Sequence, residues 1–215
     1  MFKKVFSLSL LLLISFSNQI VWAKNDGKKS KASAVESVLL NNKITTGFES
    51  LLTGLTGSRL QKTIDTLANN YCLTHPNTYI AIIWPRAKNH VEGMKDILSK
   101  CGTLLYQKTF DLLDDGPTLL YQLAHPGFFD AKLKKHIQNY IPEDMPQPYK
   151  FHAILFETDK TLTDIIYYKN LIRDYVGISY WSIHIDDYHH EVINMSQLVF
   201  DDSMIKKINR TPYIA

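Results

Sequence analysis

The sequence has no long apolar run, little net charge and only two cysteines. Its longest apolar run, at residues 5–16, has about 12 residues, whereas a transmembrane helix needs about 20. The 24 basic residues, less Lys3 and Lys4 in a leader that we expect to be removed, nearly balance the 21 acidic residues. A chain so close to neutral has no basic surface for nucleic acid. We therefore expect neither a stable membrane span in the mature protein nor a nucleic-acid partner.

The N-terminus has the three parts of a secretory signal peptide. A basic start at residues 1–4 precedes the apolar run, and Val21-Trp22-Ala23 ends the segment with a small-x-small pattern. We predict a signal peptide over residues 1–23 and export to the periplasm or the medium. The alternative is an uncleaved anchor.

The two cysteines, Cys72 and Cys101, both follow the predicted signal peptide. Exported proteins meet an oxidising environment in which disulfides persist, and one pair allows one intramolecular bridge. A bridge between them is therefore possible, and two buried thiols are the alternative. Neither cysteine belongs to a CxxC motif, so the spacing of the cysteines does not indicate a redox-catalytic pair.

The rest of the chain divides into three zones by composition. Residues 24–31, KNDGKKSK, are charged and carry no apolar anchor, which is typical of a flexible linker. Apolar residues recur at helical spacing over residues 32–72 and predict two or three short helices. From residue 73 to residue 215, apolar runs alternate with amphipathic stretches. Apolar residues make up 45% of the 215 residues, so we expect this last zone to fold as one ordinary domain.

The alternating zone predicts an α/β domain. Strands are indicated at residues 79–84, 104–110, 151–157 and 182–185, with helices between them and a final helix at residues 190–200. This order is typical of an α/β sandwich. We expect a ferredoxin-like arrangement of about four strands, preceded by the short helical segment, although the order of the strands in the sheet stays open.

The densest group of chemically versatile side chains follows the last predicted strand. Residues 184–191, HIDDYHHE, hold three imidazoles and three carboxylates. In an extended strand, His184 and Asp186 project from one face while Ile183 and Ile185 project from the other. We therefore predict that His184 and Asp186 share a polar cleft. The alternative is a polar strand end that leads into a solvated helix start.

Three short motifs follow one another between residues 79 and 200. An apolar strand ends in Trp-Pro-Arg at residues 84–86, an Ile-Arg pair stands at residues 172–173, and Ser-Ile-His-x-x-Asp occupies residues 182–187. This order resembles the nucleoside diphosphate kinases, in which a histidine of a late His-Gly-Ser-Asp segment accepts the phosphoryl group on a ferredoxin-like sheet. The resemblance implies that His184 is phosphorylated, that Asp187 matches the family's aspartate, and that Arg86 lies near the position of its Lys-Pro-Asp-Gly lysine.

Our first functional hypothesis is a His184-centred cleft that binds or processes a phosphate-containing small molecule. Glu157 ends the third predicted strand and would face this cleft if that strand neighbours the last one. The candidate catalytic residues are His184, Asp186 and Asp187, and the candidate ligand-binding residues are Arg86, Glu157 and Trp181.

A metal-dependent hydrolase is the first alternative. Imidazole and carboxylate groups suit Zn²⁺ or another divalent ion, which would be the cofactor. His184, Asp186 and one of His189 or His190 could supply three ligands and leave a position for water. We expect His125 and His136 to be solvated, and His152, in a buried strand, to be a hydrogen-bonded core residue.

A non-catalytic binding module is the second alternative. Five aromatic residues precede the His-rich segment, and such residues line ligand clefts and interfaces, although they are more often part of a core. They are Tyr167, Tyr168, Tyr175, Tyr180 and Trp181. Neither the oligomeric state nor the substrate follows from these patterns.

Overall fold

The computed structural model describes residues 19–21, 39–126, 133–141 and 144–212. The predicted linker at residues 24–31 lies outside these ranges. Of the predicted signal peptide, only Gln19–Val21 is described, and it forms a short strand. No helix within the described ranges is both long and apolar enough to cross a bilayer.

Six strands in the described part of the chain form one sheet. Two short strands precede the predicted α/β zone, and the other four correspond to the four strands predicted from the sequence. The strands are β1 (Gln19–Val21), β2 (Leu39–Asn41), β3 (Thr78–Ile83), β4 (Thr103–Leu112), β5 (Tyr149–Glu157) and β6 (Ile183–Ile185).

Helices connect and cover these strands. They are α1 (Asn42–Thr45), α2 (Glu49–Leu52), α3 (Gly57–Thr74), α4 (Val91–Cys101), α5 (Gly116–Ala124), α6 (Leu133–Gln138), α7 (Leu162–Val176), α8 (His189–Val199) and α9 (Asp202–Ile208). Two 3₁₀ helices, Pro85–His90 and Ser179–Trp181, follow β3 and precede β6.

The strand order is β1-β2-β4-β5-β3-β6, and every pairing is antiparallel. Within β3 to β6, the first strand of the set lies between the third and the fourth, which is the ferredoxin-like order. The helices α4 and α7 fill the two crossover positions of that fold. The predicted fold class is therefore confirmed. The chain adds the α5–α6 pair between β4 and β5, where the simple fold has a hairpin.

The sheet separates two apolar cores. On one face, Ile154 and Phe156 of β5 pack with residues of α4 and α7. On the opposite face, Ala153 and Leu155 pack with residues of α3, α5, α6, α8 and α9. Because successive side chains of β5 enter opposite cores, both faces of the strand are buried, and this explains its continuous apolar sequence.

The two cysteines lie on opposite sides of this sheet. Cys72 of α3 belongs to one core and Cys101 at the end of α4 belongs to the other. Both are buried free thiols, so of the two possibilities that the sequence left open, the bridge is not formed and two buried thiols are found. Burial raises the pKa of Cys72 to about 12 and also raises the pKa of Cys101, which keeps both thiols protonated.

The region over residues 32–72 differs from the prediction of short helices alone. It includes strand β2, and its last helix, α3, has 18 residues and packs into the core. The short helices α1 and α2 end before Gly47 and Gly54, whose φ angles of 84° and 79° favour glycine.

A buried ionic network attaches two helices to β4. The ammonium of Lys108 lies 2.8 Å from a carboxylate oxygen of Asp65 on α3 and 2.8 Å from one of Asp202 on α9. Asp65 also accepts a hydrogen bond from the hydroxyl of Tyr106. Burial raises the pKa of Asp65, and the nearby Lys108 opposes that rise.

Candidate functional site

The last strand positions His184 and Asp186 on the same side of the sheet. Ile183 and Ile185 are buried in the α4–α7 core, so His184 between them projects from the opposite face. Its Nε2 lies 3.2 Å from Oδ1 of Asp186. The period-two prediction that these two side chains lie on the same side of the last strand is therefore confirmed.

A third group, His125, comes from the residue after α5. The backbone carbonyl of Ala124 accepts a hydrogen bond from the Asn194 side chain of α8, which fixes the end of α5 against the last helix. The rings of His125 and His184 are 5.0 Å apart between centroids. One ligand atom from each of His125, His184 and Asp186 lies within 4.8 Å of the others. We call these three residues the His–Asp cluster.

The cluster is largely closed to solvent. Asp186 is 0% exposed, and the side chain of His125 is only 9% exposed. The prediction that His125 is solvated was therefore wrong, because α5 packs against α8 and carries the residue under the surface. Two atoms of the cluster, Oδ2 of Asp186 and Nε2 of His125, are buried without a hydrogen-bond partner among the described residues.

Glu191 of α8 contacts His125 at Nδ1, the other nitrogen of the ring. Its Oε1 lies 3.3 Å from Nδ1 of His125. Burial, followed by the neighbouring His184, lowers the pKa of His125, although Asp186 and Glu191 act in the opposite direction. At neutral pH His125 is therefore an uncharged imidazole, which is the form that binds a metal ion.

A small cavity of about 10 Å³ adjoins His184. This space is enough for about one water molecule. Apart from His184, the cavity is lined by Ile82, Trp84, Leu120, Tyr121 and Met195. The predicted cleft is therefore lined mainly by apolar groups, because His184 faces the core between the sheet and helices α5 and α8.

Tyr121 links the two histidines of the cluster. Its ring centroid lies 4.6 Å from that of His125 and 5.7 Å from that of His184. Burial raises the pKa of Tyr121 to about 12, so its hydroxyl stays protonated at neutral pH.

Two other predicted residues close to the cluster in sequence have different contacts. Asp187 is paired with the buried Lys169 of α7, with 2.6 Å between Oδ1 and Nζ. His189 begins α8, and its Nδ1 is buried without a partner among the described residues. The compact cluster includes neither His189 nor Asp187, and His125 supplies the third group instead.

Glu157 is directed elsewhere because β3 lies between β5 and β6. The condition for its predicted place beside His184, that the two strands be neighbours, is not met. Its carboxylate pairs with Lys43 at 2.6 Å and accepts a hydrogen bond from the Tyr71 hydroxyl at 3.2 Å.

Arg86 and Trp181, both predicted to bind ligand, contact each other near the start of β6. The guanidinium carbon of Arg86 lies 5.0 Å from the centroid of the Trp181 ring, and Nη1 donates to the carbonyl of Asn139. One residue earlier, Tyr180 has the guanidinium of Arg173 at 4.2 Å. Among the aromatic residues that the sequence analysis assigned to a possible binding surface, Tyr167, Tyr175, Tyr180 and Trp181 are exposed. Tyr167 and Tyr180 are the most exposed of them.

The sequence contains one signal that brings two of the missed residues, Tyr121 and His125, together with each other. Tyr121 and His125 are four residues apart, so they lie on the same face of a helix that ends at Ala124. That spacing predicts that the two rings approach each other. It does not say which strand they face.

Comparisons with known proteins give no relative for this chain. The sequence matches no family model, and no curated protein and no solved structure is significantly similar to it. The resemblance to nucleoside diphosphate kinases therefore stays a prediction.

Proposed function

We propose that the His–Asp cluster binds one divalent transition-metal ion and that the protein uses this ion for hydrolytic chemistry. The observation that carries the proposal is the Asp186 carboxylate, which is completely buried beside two imidazoles and has one oxygen without a partner among the described residues. A buried carboxylate costs several kcal/mol unless a cation or hydrogen bonds compensate it. A metal ion compensates it directly.

A hydrogen bond between His184 and Asp186 is a simpler way to satisfy the buried carboxylate. It accounts for only one contact, the 3.2 Å approach of Nε2 to Oδ1. It leaves Oδ2 of Asp186 and Nε2 of His125 without partners. A metal ion held by all three side chains gives the His125 nitrogen a partner as well, and therefore explains more of the geometry.

The donor set favours particular metals. Two imidazoles and one carboxylate suit Zn²⁺, Fe²⁺ or Co²⁺, whereas Mg²⁺ and Ca²⁺ prefer oxygen ligands alone. Three protein ligands leave a coordination position for water, and Zn²⁺ lowers the pKa of such a water to about 7. The cavity beside His184 offers room for about one water molecule.

Calorimetric titration with Zn²⁺ tests the proposal. We expect one equivalent to bind to the wild-type protein, and His125→Ala to weaken binding at least about tenfold because one of three ligands is lost. His190→Ala is the matched control, since His190 is exposed and stacks on Tyr188. Wild-type affinity in His125→Ala, or its loss in His190→Ala, would show that the ion binds elsewhere.

A phosphate-containing small molecule remains the second candidate ligand. The supporting observation is that Arg86 and Arg173 lie over Trp181 and Tyr180, and that neither guanidinium pairs with a carboxylate among the described residues. A stacked guanidinium keeps in-plane donors for an oxyanion.

Titration with phenyl phosphate tests this candidate. We expect binding that Arg173→Gln weakens and that Arg59→Gln, on the exposed face of α3, leaves unchanged. Transfer of a labelled phosphoryl group to His184 would support the kinase-like form of the hypothesis. If neither metal nor phenyl phosphate binds, the binding-module alternative is the one left.

We also propose that the protein is exported. The support is the basic start, the short apolar run and the Val21-Trp22-Ala23 ending. N-terminal sequencing of the mature protein should begin at or near Lys24, in which case β1 is removed. Intact Met1 in a cytosolic fraction would contradict the proposal.

A further inference from the structure

We infer that Glu191 is a positioning residue for the metal centre, which acts by fixing the tautomer and orientation of His125. This inference rests on the proposed metal site. Glu191 itself is not among the three clustered groups. It contacts Nδ1 of His125, whereas Nε2 is the ring nitrogen that is buried without a partner among the described residues.

The hydrogen-bond geometry determines which nitrogen of His125 carries the proton. A carboxylate oxygen accepts hydrogen bonds and donates none. Because Oε1 of Glu191 lies 3.3 Å from Nδ1 of His125, the stable neutral tautomer has its proton on Nδ1. The lone pair is then on Nε2, the atom that is buried without a partner in the cluster. The carboxylate thus presents His125 in the form that a metal requires.

The other oxygen of Glu191 is held by the start of α8. Oε2 accepts hydrogen bonds from the backbone N–H of Asp187 at 3.0 Å and from that of Tyr188 at 3.2 Å. Both donors are near a helix N-terminus, where backbone N–H groups lack helical partners. The two oxygens of Glu191 therefore have different partners. Because the N-terminus of α8 holds Oε2, it also fixes the direction from which Oε1 approaches His125.

Glu191 contacts both chain segments that supply the proposed metal ligands. Asp187 directly follows the cluster residue Asp186, and its N–H is one of the two donors to Glu191. His125 belongs to the separate segment that follows α5. One side chain thus joins both segments that supply ligands, and its loss should weaken metal binding without removing a ligand. Outer carboxylates of this kind change metal affinity by about 10–100-fold.

The variant Glu191→Gln separates the helix-capping contact of Glu191 from its contact with His125. The helix N–H groups need an acceptor, so the amide oxygen should take the place of Oε2 and keep the cap. The amide NH₂ then faces His125, and because it donates, it favours the tautomer with the lone pair on Nδ1 and the proton on Nε2. We expect a folded protein whose His125 presents the wrong nitrogen to the metal.

Asp164→Asn is the matched control. Asp164 occupies the same position in α7 as Glu191 does in α8, the third helical residue, and its Oδ2 accepts from the Thr161 backbone N–H at 3.0 Å. It makes the same capping contact, and it has no place in the His–Asp cluster. Any effect due to helix capping alone should appear in both variants.

The experiment measures Co²⁺ affinity and the visible absorption of the bound ion, together with the nitrogen-15 shifts of His125 in the metal-free protein. We expect Glu191→Gln to lower affinity about 10-fold or more, to change the absorption bands and to move the proton of His125 to Nε2. Asp164→Asn should match the wild type in all three. If the wild type binds no Co²⁺, the proposed metal site itself fails. If the wild type binds and Glu191→Gln has the same affinity and His125 shifts, only the role of Glu191 is overturned.

Discussion

Oδ2 of Asp186 and Nε2 of His125 are both buried without a hydrogen-bond partner in the part of the chain that the structure describes, and their side chains belong to one group whose ligand atoms lie within 4.8 Å of one another. Unpartnered buried polar atoms are rare in native proteins because each costs free energy. Two of them lie in one cluster, one on an imidazole and one on a carboxylate, and this pairing is the basis of the proposed metal site.

The charge of Asp186 should favour metal binding at the expense of the metal-free fold. Asp186→Asn removes a buried charge, so we expect the metal-free protein to become more stable, by about 1–2 kcal/mol. The same variant should lose the stabilisation that Zn²⁺ gives the wild type, which is about 2.7 kcal/mol at a concentration 100 times the Kd. Urea unfolding with and without Zn²⁺ measures both effects. A variant that is less stable without metal and equally stabilised by Zn²⁺ would show that Asp186 has a purely structural role.

How much of this site the sequence could predict differs from residue to residue. The contact of His184 with Asp186 followed from strand alternation, which is a local property. The approach of His125 to these residues did not follow from the sequence, because it depends on where the inserted helix α5 packs on the sheet and against α8. The separation of Glu157 from His184 depends on strand order, since β3 lies between their strands.

The same division applies to the fold. The buried strands β3 and β5 were predictable because their apolar runs have no alternation, as both faces are covered. The position of the cysteines was not predictable, because the sequence does not show which face of the sheet α3 and α4 cover. Cys72 and Cys101 consequently lie in separate cores.

Both thiols should resist modification in the folded protein. Burial raises the pKa of Cys72 to about 12, and thiolate is the reactive form. We expect no alkylation by iodoacetamide near pH 8 and two adducts per chain after unfolding in guanidinium. Mass spectrometry without reductant checks this. A mass lower by two hydrogens, with no adducts after unfolding, would contradict the separate positions of the two cysteines.

Lys108 should be important for stability because it is the cation between Asp65 and Asp202. Lys108→Met leaves the buried Asp65 carboxylate without its counter-charge and should cost about 3–5 kcal/mol. Lys43→Met is the control, since its ion pair with Glu157 is partly exposed and should contribute about 1 kcal/mol or less. Chemical denaturation of the two variants measures the difference. Equal losses would mean that the Lys108 network is not the anchor that the structure indicates.

The start of α7 should make stability depend on acid pH. Hydrogen bonds from Thr161 lower the pKa of Asp164 from its usual 3.8. Because the folded pKa is the lower one, the charged carboxylate stabilises the fold above the usual value, and this contribution is lost as pH falls through the folded pKa. Asp164→Asn should therefore be less stable than the wild type at about pH 6, and the difference should shrink as the pH falls below about 3.8. A difference that stays constant across this range would contradict the capping role.

Anomalous X-ray diffraction from crystals of the Zn²⁺-loaded protein tests the central claim most directly. The account predicts one anomalous peak at about 2.0–2.2 Å from a nitrogen of His125, a nitrogen of His184 and an oxygen of Asp186. The claim would be contradicted if the anomalous peak lay at other side chains, or if crystals grown with saturating Zn²⁺ showed no anomalous peak.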